Sequence, residues 1–177
     1  AEPLPNYELC DDDIADGFTI FDLTLWDLQI ADPPTGLLIT YHETPASASA
    51  GTPFIDPADT YTNLSNPQII YVRVVNTDGC VTIGFFDLVV LPLPVFNNPT
   101  TFELCDDAVA DGLTAFDLTA KDSEITGGNP DYIVSYYLTL ADADAGTPAL
   151  AIPYTNITNP QIVFVRVENI NTGCHDT

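Results

Sequence analysis

Apolar and polar residues alternate most clearly over residues 68–75 and 161–168. In the first stretch Ile70, Val72 and Val74 share one face, with Tyr71 and Arg73 on the other; in the second Val163, Val165 and Val167 oppose Phe164, Arg166 and Glu168. A period of two marks a half-buried strand. Residues 18–23 and 113–118 alternate in the same way, and residues 37–42 and 133–138 are rich in β-branched and aromatic side chains, so strands are expected there too. Thr24-Leu25-Trp26-Asp27 and Thr119-Ala120-Lys121-Asp122 read as helix starts, with threonine as N-cap and a carboxylate three residues on. Pro33-Pro34-Thr35-Gly36 and Gly127-Gly128-Asn129-Pro130 should keep those helices short. Residues 46–50 and 141–145, alanine-rich and closed by Gly51 and Gly146, predict a single helical turn. Asn76-Thr77-Asp78-Gly79 turns the chain into a last strand over 81–91, after which Pro92 and Pro94 stop the ladder.

These elements come in pairs because the chain repeats itself. Glu8-Leu9-Cys10-Asp11-Asp12, Ala15-Asp16-Gly17 and Phe21-Asp22-Leu23-Thr24 return as Glu103-Leu104-Cys105-Asp106-Asp107, Ala110-Asp111-Gly112 and Phe116-Asp117-Leu118-Thr119. Tyr61-Thr62-Asn63, Asn66-Pro67-Gln68-Ile69 and Val72-Arg73-Val74 return as Tyr154-Thr155-Asn156, Asn159-Pro160-Gln161-Ile162 and Val165-Arg166-Val167. A unit of this length is a domain rather than a solenoid turn of about 20–50 residues. The pattern predicts a mainly β chain of two tandem immunoglobulin-like β-sandwich domains, each with one or two short helical turns. The first spans 1–94, with 1–6 as the tail of a preceding unit or linker, and the second spans 95–177. The second copy stops where the first continues through residues 81–91, so its last strand is expected to be missing. The readings of that gap are truncation and a strand supplied by another chain.

Charge narrows the partners. The chain of 177 residues carries 26 Asp plus Glu against 3 Lys plus Arg, a formal net charge of −23. Such a surface repels nucleic acid and anionic lipid heads and attracts divalent cations. No stretch reaches the roughly 20 apolar residues of a membrane helix. Methionine is absent, and the chain reads as an internal fragment of something longer.

Candidate chemistry is sparse. Asp11, Asp12, Asp13 and Asp16 before Gly17, and Asp106, Asp107 and Asp111 before Gly112, are the metal candidates. Hard oxygen ligands beside a turn glycine suit calcium, although the spacing departs from the EF-hand loop; the alternative is turns capped by Asx hydrogen bonds. Cys10 and Cys80 lie near the two ends of copy one, Cys105 and Cys174 near those of copy two. The economical expectation is one disulfide per domain, Cys10 with Cys80 and Cys105 with Cys174, which places the protein in an oxidising, extracytoplasmic compartment. Metal-type Cys-x-x-Cys spacing is absent. His42 and His175 occupy unmatched positions, and no nucleophilic apparatus is visible, so no enzymatic activity is expected. Trp26, whose counterpart is Lys121, reads either as packing or as an aromatic platform for a sugar. Tyr71 and Phe164, beside Arg73 and Arg166, add outward aromatic surface, placed where a guanidinium can stack on a ring. Asn63-Leu64-Ser65 and Asn156-Ile157-Thr158 are matched sequons that read as turns.

The combined string of Leu-Cys-Asp-Asp through Asp-Gly, Phe-Asp-Leu-Thr, Tyr-Thr-Asn, Asn-Pro-Gln, Val-Arg-Val and Gly-Cys resembles a repeat of very large Bacteroidetes surface proteins. Those proteins typically end in a type IX secretion signal of the gliding-motility-associated class. The resemblance runs over residues 8–91 and 103–174. It implies a secreted or outer-membrane-attached multidomain adhesin or filament, with neighbouring repeats, glycans or other surface proteins as partners. Residues Ile14-Ala15 and Val109-Ala110 interrupt the Asp-rich loop of such repeats. The expected function is therefore a non-catalytic structural or adhesive module, stiffened by calcium if the Asp loops hold it. The alternatives are a carbohydrate-binding accessory module and a strand-donating filament subunit.

Overall fold

A computed structural model describes residues 4–31 and 34–177. Pro3 of the entering Pro-Leu-Pro segment and Pro33 of the expected helix stop lie outside the described residues. The chain forms two compact units, Ala1–Pro92 and Leu93–Thr177, both mainly β and sandwich-like.

The first unit contains β1 (Tyr7–Cys10), β2 (Ile20–Phe21), α1 (Asp27–Ile30), β3 (Leu38–His42), α2 (Pro45–Ala50), β4 (Tyr61–Thr62), β5 (Gln68–Val75) and β6 (Val81–Leu91). One sheet has the order β1-β6-β5-β3, and β2 and β4 form a separate antiparallel ribbon. β6 is central: it pairs antiparallel with β5 over its first eight residues and parallel with β1 over its last four. Its alternation puts Phe86, Leu88 and Val90 into the core, where they join Tyr7, Phe21, Leu23, Tyr41, Ile70 and Val72.

The second unit repeats this plan as β7 (Ala115–Phe116), α3 (Asp122–Thr126), β8 (Tyr132–Tyr137), α4 (Leu140–Ala145), β9 (Tyr154–Thr155), β10 (Phe164–Asn169) and β11 (His175–Asp176). β7 pairs with β9 as β2 does with β4, and the larger sheet has the order β11-β10-β8. What is left of β6 is β11. Its register, Glu168 opposite His175 and Val167 opposite Asp176, repeats Val75 opposite Val81 and Val74 opposite Thr82. Residues 161–163 carry no strand pairing, although residues 68–70 of the first copy do. The buried core contracts to Leu118, Ile125, Tyr136 and Val167.

Two local expectations shift. The strands expected over 18–23 and 113–118 shrink to two residues each, because Asp22 and Asp117 leave the ladder. Their carboxylates accept the backbone N–H of Thr24 at 3.0 Å and of Thr119 at 3.2 Å, starting a 3-10 turn that leads into α1 and α3. The N-cap is thus the aspartate two residues before the expected threonine. α2 and α4 form as expected, capped by Thr44 and Thr139 and closed by Gly51 and Gly146 at positive φ, where a side chain would be strained. No helix among the described residues is long and apolar enough to cross a membrane.

Candidate functional site

The Asp loops are built from their own backbone. Asp11 accepts from the N–H of Asp12 at 3.1 Å with one oxygen and of Gly17 at 2.9 Å with the other; Asp12 accepts from Ile14 at 2.8 Å and Asp16 from Phe18 at 2.9 Å. The second copy repeats each bond: Asp106 to Asp107 and Gly112, Asp107 to Val109, Asp111 to Leu113. Asp13 is exposed and makes none of these bonds. These are Asx turns, in which the carboxylate supplies the acceptor that a tight loop lacks. Among the described residues no group of three or more His, Cys, Asp or Glu side chains converges as a metal site.

The other repeated polar residues are likewise engaged in the scaffold. The Asn63 carboxamide accepts from Thr19 N–H at 2.8 Å and donates to the Gly17 carbonyl at 2.9 Å and the Ser65 carbonyl at 3.1 Å. Asn156 makes the same three bonds to Thr114, Gly112 and Thr158. Asn63 is only 2% exposed, so neither sequon offers a free amide for glycosylation. Gln68 and Gln161 each join the backbone four residues earlier to a tyrosine hydroxyl, Tyr61 or Tyr154. Tyr41 donates to Asp27 at 2.5 Å and Tyr136 to Asp122 at 2.6 Å. Burial first, and then the neighbouring carboxylate, push both hydroxyls well above the usual tyrosine range.

All three cations are engaged too. Arg73 donates to the carbonyls of Ala48 and Ser49 at the end of α2, and Arg166 to those of Ala143 and Asp144 at the end of α4. Each guanidinium thus caps a helix C-terminus, where a positive charge is favoured. Among the described residues neither arginine stacks on Tyr71 or Phe164, and Tyr71 packs against Phe85, with ring centroids 6.3 Å apart. Lys121 pairs with Glu124 at 2.7 Å and lies 5.7 Å over the Phe102 ring.

Trp26 is not an outward platform. Its indole stacks on Tyr7, with centroids 4.4 Å apart and an interplanar angle of 9°, and leans on Phe86. Lys121 over Phe102 reproduces that contact in the second copy with a cation in place of the indole. His42 is fully buried. Its ring nitrogens meet Thr40 at 2.9 Å and the Pro53 carbonyl at 2.7 Å. Its counterpart Tyr137 makes the matching contact to Ser135.

Surface concavities lie elsewhere. In the first unit a groove of about 750 Å³ runs between α2 and residues 52–62, lined by Glu43, Ala46, Ala50, Phe54, Asp56 and Tyr61 among others. The Phe54 ring is 49% exposed. Tyr61 donates to Glu43 at 3.2 Å, and burial together with that carboxylate pushes its pKa up to about 12, against a lowering by the Gln68 hydrogen bond. Ala46 and Ala50 of α2 line this groove, whereas Trp26 does not. Phe54, Glu43 and Asp56 were missed in the sequence. The available signal was their replacement in the second copy by Ala149, Leu138 and Ala151.

The cysteines correct the expected pairing. Cys10 lies opposite Leu91, at the end of β6, whereas Cys80 immediately precedes Val81, at its start. Eleven residues of extended chain at about 3.3 Å each separate the two by roughly 35 Å, far beyond the about 7 Å that a disulfide spans between Cα atoms. Cys80 and Cys105 are exposed free thiols, and Cys10 and Cys174 are disulfide-bonded. Neither Cys10–Cys80 nor Cys105–Cys174 is formed. The family model described as the Flavobacterium inter-domain disulphide bond domain matches residues 6–94 and again residues 101–177. The chain belongs to this family. The inter-domain disulphide family thus has here two tandem members, whose matched spans agree with the repeat read from the sequence. No protein of curated function matches the chain.

Proposed function

We propose that the chain is a non-catalytic structural module, two links of a long extracellular repeat protein whose units are cross-braced by disulfides between opposite poles. The observation that carries this reading is the separation of Cys10 from Cys80 along the full length of β6. A cross-link between units closes a loop of chain and resists extension in a way that one inside a unit cannot. The engagement of the repeated aspartates, asparagines, glutamines and arginines in backbone bonds supports a scaffold role rather than a repeated active site. Net charge keeps like units soluble and apart. On this reading the protein acts at the bacterial cell surface, as a stalk or filament that carries an adhesive function. Its immediate partners are neighbouring repeats. Disulfide mapping of the oxidised chain tests it: every cross-linked peptide should join a first-strand cysteine (Cys10 or Cys105) to a hairpin cysteine (Cys80 or Cys174) of a different unit. A Cys10–Cys80 or Cys105–Cys174 peptide would overturn it.

A second reading is favoured by the first-unit groove. A half-exposed Phe54 ring beside the Glu43 and Asp56 carboxylates offers a stacking face and acceptors for a neutral sugar. Glycan-array binding that is lost in Phe54→Ala and kept in Trp26→Phe would establish it; silence across the array would remove it.

A further inference from the structure

The two units diverge at the groove beside α2. Ile55 N–H donates to the Tyr41 carbonyl at 2.8 Å and Leu150 N–H to the Tyr136 carbonyl at 2.8 Å, which fixes the register between the copies. In that register Glu43, Phe54 and Asp56 stand where Leu138, Ala149 and Ala151 do. Four residues, 57–60, lead from Asp56 to Tyr61, whereas two, 152–153, lead from Ala151 to Tyr154. Pro57 and Thr60 of that longer segment line the groove together with Glu43, Phe54 and Asp56. Three substitutions and a local lengthening thus fall on one concavity, while the Tyr61–Gln68 bond is kept as Tyr154–Gln161.

The segment that carries Phe54 is braced by a buried ring. His42, fully buried, meets the Pro53 carbonyl through Nδ1 at 2.7 Å and the Thr40 hydroxyl through Nε2 at 2.9 Å. A carbonyl only accepts, so Nδ1 carries a proton and donates it. Tyr137, in the matching place, bonds Ser135 instead. The half-exposed Phe54 ring therefore follows a backbone position already held before any ligand arrives, which lowers the ordering cost of binding.

The charge of the groove is one-sided. No lysine, arginine or histidine lines it. The Asp56 carboxylate has no hydrogen-bond or ion-pair partner among the described residues, and that of Glu43 has the Tyr61 hydroxyl at 3.2 Å. Arg73, the single arginine of the first unit, is committed to the Ala48 and Ser49 carbonyls, and the unit has no lysine. Two carboxylates are too few for calcium, which takes about 6–8 oxygens. The volume of about 750 Å³ suits a small organic molecule.

We infer that the first-unit groove binds a saccharide bearing a free ammonium group, with Phe54 stacked on a sugar face and Glu43 and Asp56 accepting from the ammonium. The inference rests on the sugar reading of this groove and puts a charged sugar in place of a neutral one. A carboxylate bonds an ammonium more strongly than a hydroxyl, and a chain of net charge −23 draws cations toward it. The flat aromatic face favours a sugar ring over a bare amine.

The test is calorimetric titration of the whole chain with two trisaccharides of one backbone, a glucosamine trisaccharide and its fully N-acetylated form. Mildly acidic buffer keeps the amines protonated. The free-amine form should bind about tenfold or more tightly than the acetylated one, as charge-assisted bonds to the ligand imply. Phe54→Ala, and Glu43→Gln with Asp56→Asn, should each weaken its binding by about tenfold or more. Glu103→Gln with Asp131→Asn removes the same charge from the second unit and should leave affinity within about twofold. Equal affinity for the two trisaccharides would overturn the ammonium and leave the sugar site standing. Binding of neither would overturn both. Equal losses in the two charge variants would overturn the groove in favour of the chain's net charge. Binding of a capped lysine as tight as that of the glucosamine trisaccharide would overturn the sugar.

Discussion

Asn66 grips Val90 with both ends of its amide, whereas Asn159 grips nothing among the described residues. Much of the remaining polar skeleton is shared by the two units, including the three bonds of Asn63 and Asn156 and the arginine cap on each short helix. The comparison separates two layers of the fold. Loops and ribbons are held by side chains bonding to nearby backbone, and they persist without β6. The large sheet and the buried core are the larger in the first unit, where β6 spans Val81–Leu91. Leu23 is fully buried while its counterpart Leu118 is 8% exposed. Local polar bonds thus set the shape of each unit, and one central strand completes its core.

The largest effect expected from this contrast is at Phe86. It is almost fully buried and touches Trp26 and Tyr41, so Phe86→Ala should cost about 3–5 kcal/mol in the first unit. Exchange rates over residues 132–169 should not change, and a parallel rise there would break the independence of the two units. Next comes the clamp. Asn66→Ala strands a partly buried N–H and carbonyl of Val90 and should cost about 1–3 kcal/mol. Asn159→Ala, with no bond to lose, should stay within about 0.5 kcal/mol. Equal costs in urea titrations of the two variants would sink the idea that the clamp is empty.

Much of this was legible in the sequence, and the gaps have physical causes. The repeat set the unit, period-two alternation placed β5 at its observed bounds because a strand buried on one face writes its period into the chain, and the turn at 76–79 with Pro92 placed those of β6. Residues 161–163 carry the same pattern and yet form no strand, since pairing needs a partner as well as a pattern. Asp22 and Asp117 were read as strand residues because alternation does not register a carboxylate that turns back to cap a helix. The aspartates before Gly17 and Gly112 showed both ligand chemistry and turn chemistry, and their short-range bonds to Ile14, Phe18, Val109 and Leu113 fit the turn. For the cysteines, spacing along the chain gave no distance across the fold; only the parallel register of β1 on β6 places Cys10 and Cys80 at opposite poles.

Ion dependence sharpens the comparison at a smaller scale. A thermal melt in EDTA and across a calcium titration, with magnesium as control, should leave the midpoint within about 1 °C if the Asp loops are closed by their own N–H groups. A saturable, calcium-selective rise, abolished by Asp11→Asn with Asp106→Asn, would make them ion sites by mass action. Alkali should also act on the first unit's groove. Tyr61 keeps its proton up to about 12, while an unfolded tyrosine loses it near 10. Its contribution is therefore complete below about pH 10 and is lost as pH rises toward 12. Leu138 stands where Glu43 does, so the second unit lacks the carboxylate behind part of that shift. Glu43→Gln should lower the Tyr61 pKa, so the alkaline loss should be smaller and should end at lower pH; an unmoved profile would refute that cause.

The smallest effect belongs to the second unit. Glu124 has no acidic counterpart, since Gln29 occupies the matching position in α1. The Lys121 ammonium first, and then the Thr100 N–H, hold the Glu124 carboxyl down to about 2. A carboxylate whose folded pKa lies below its unfolded value of about 4.3 contributes in full above that value and loses its contribution as pH falls toward 2. The pair is solvent-accessible, so salt should weaken it. Glu124→Gln should flatten the acid limb between about pH 4 and 2 for amides near Thr100 and α3 while leaving α1 untouched. If the limb keeps its slope in the variant, other carboxylates set the acid response of this unit, and the Lys121–Glu124–Thr100 contact contributes nothing that titration can read.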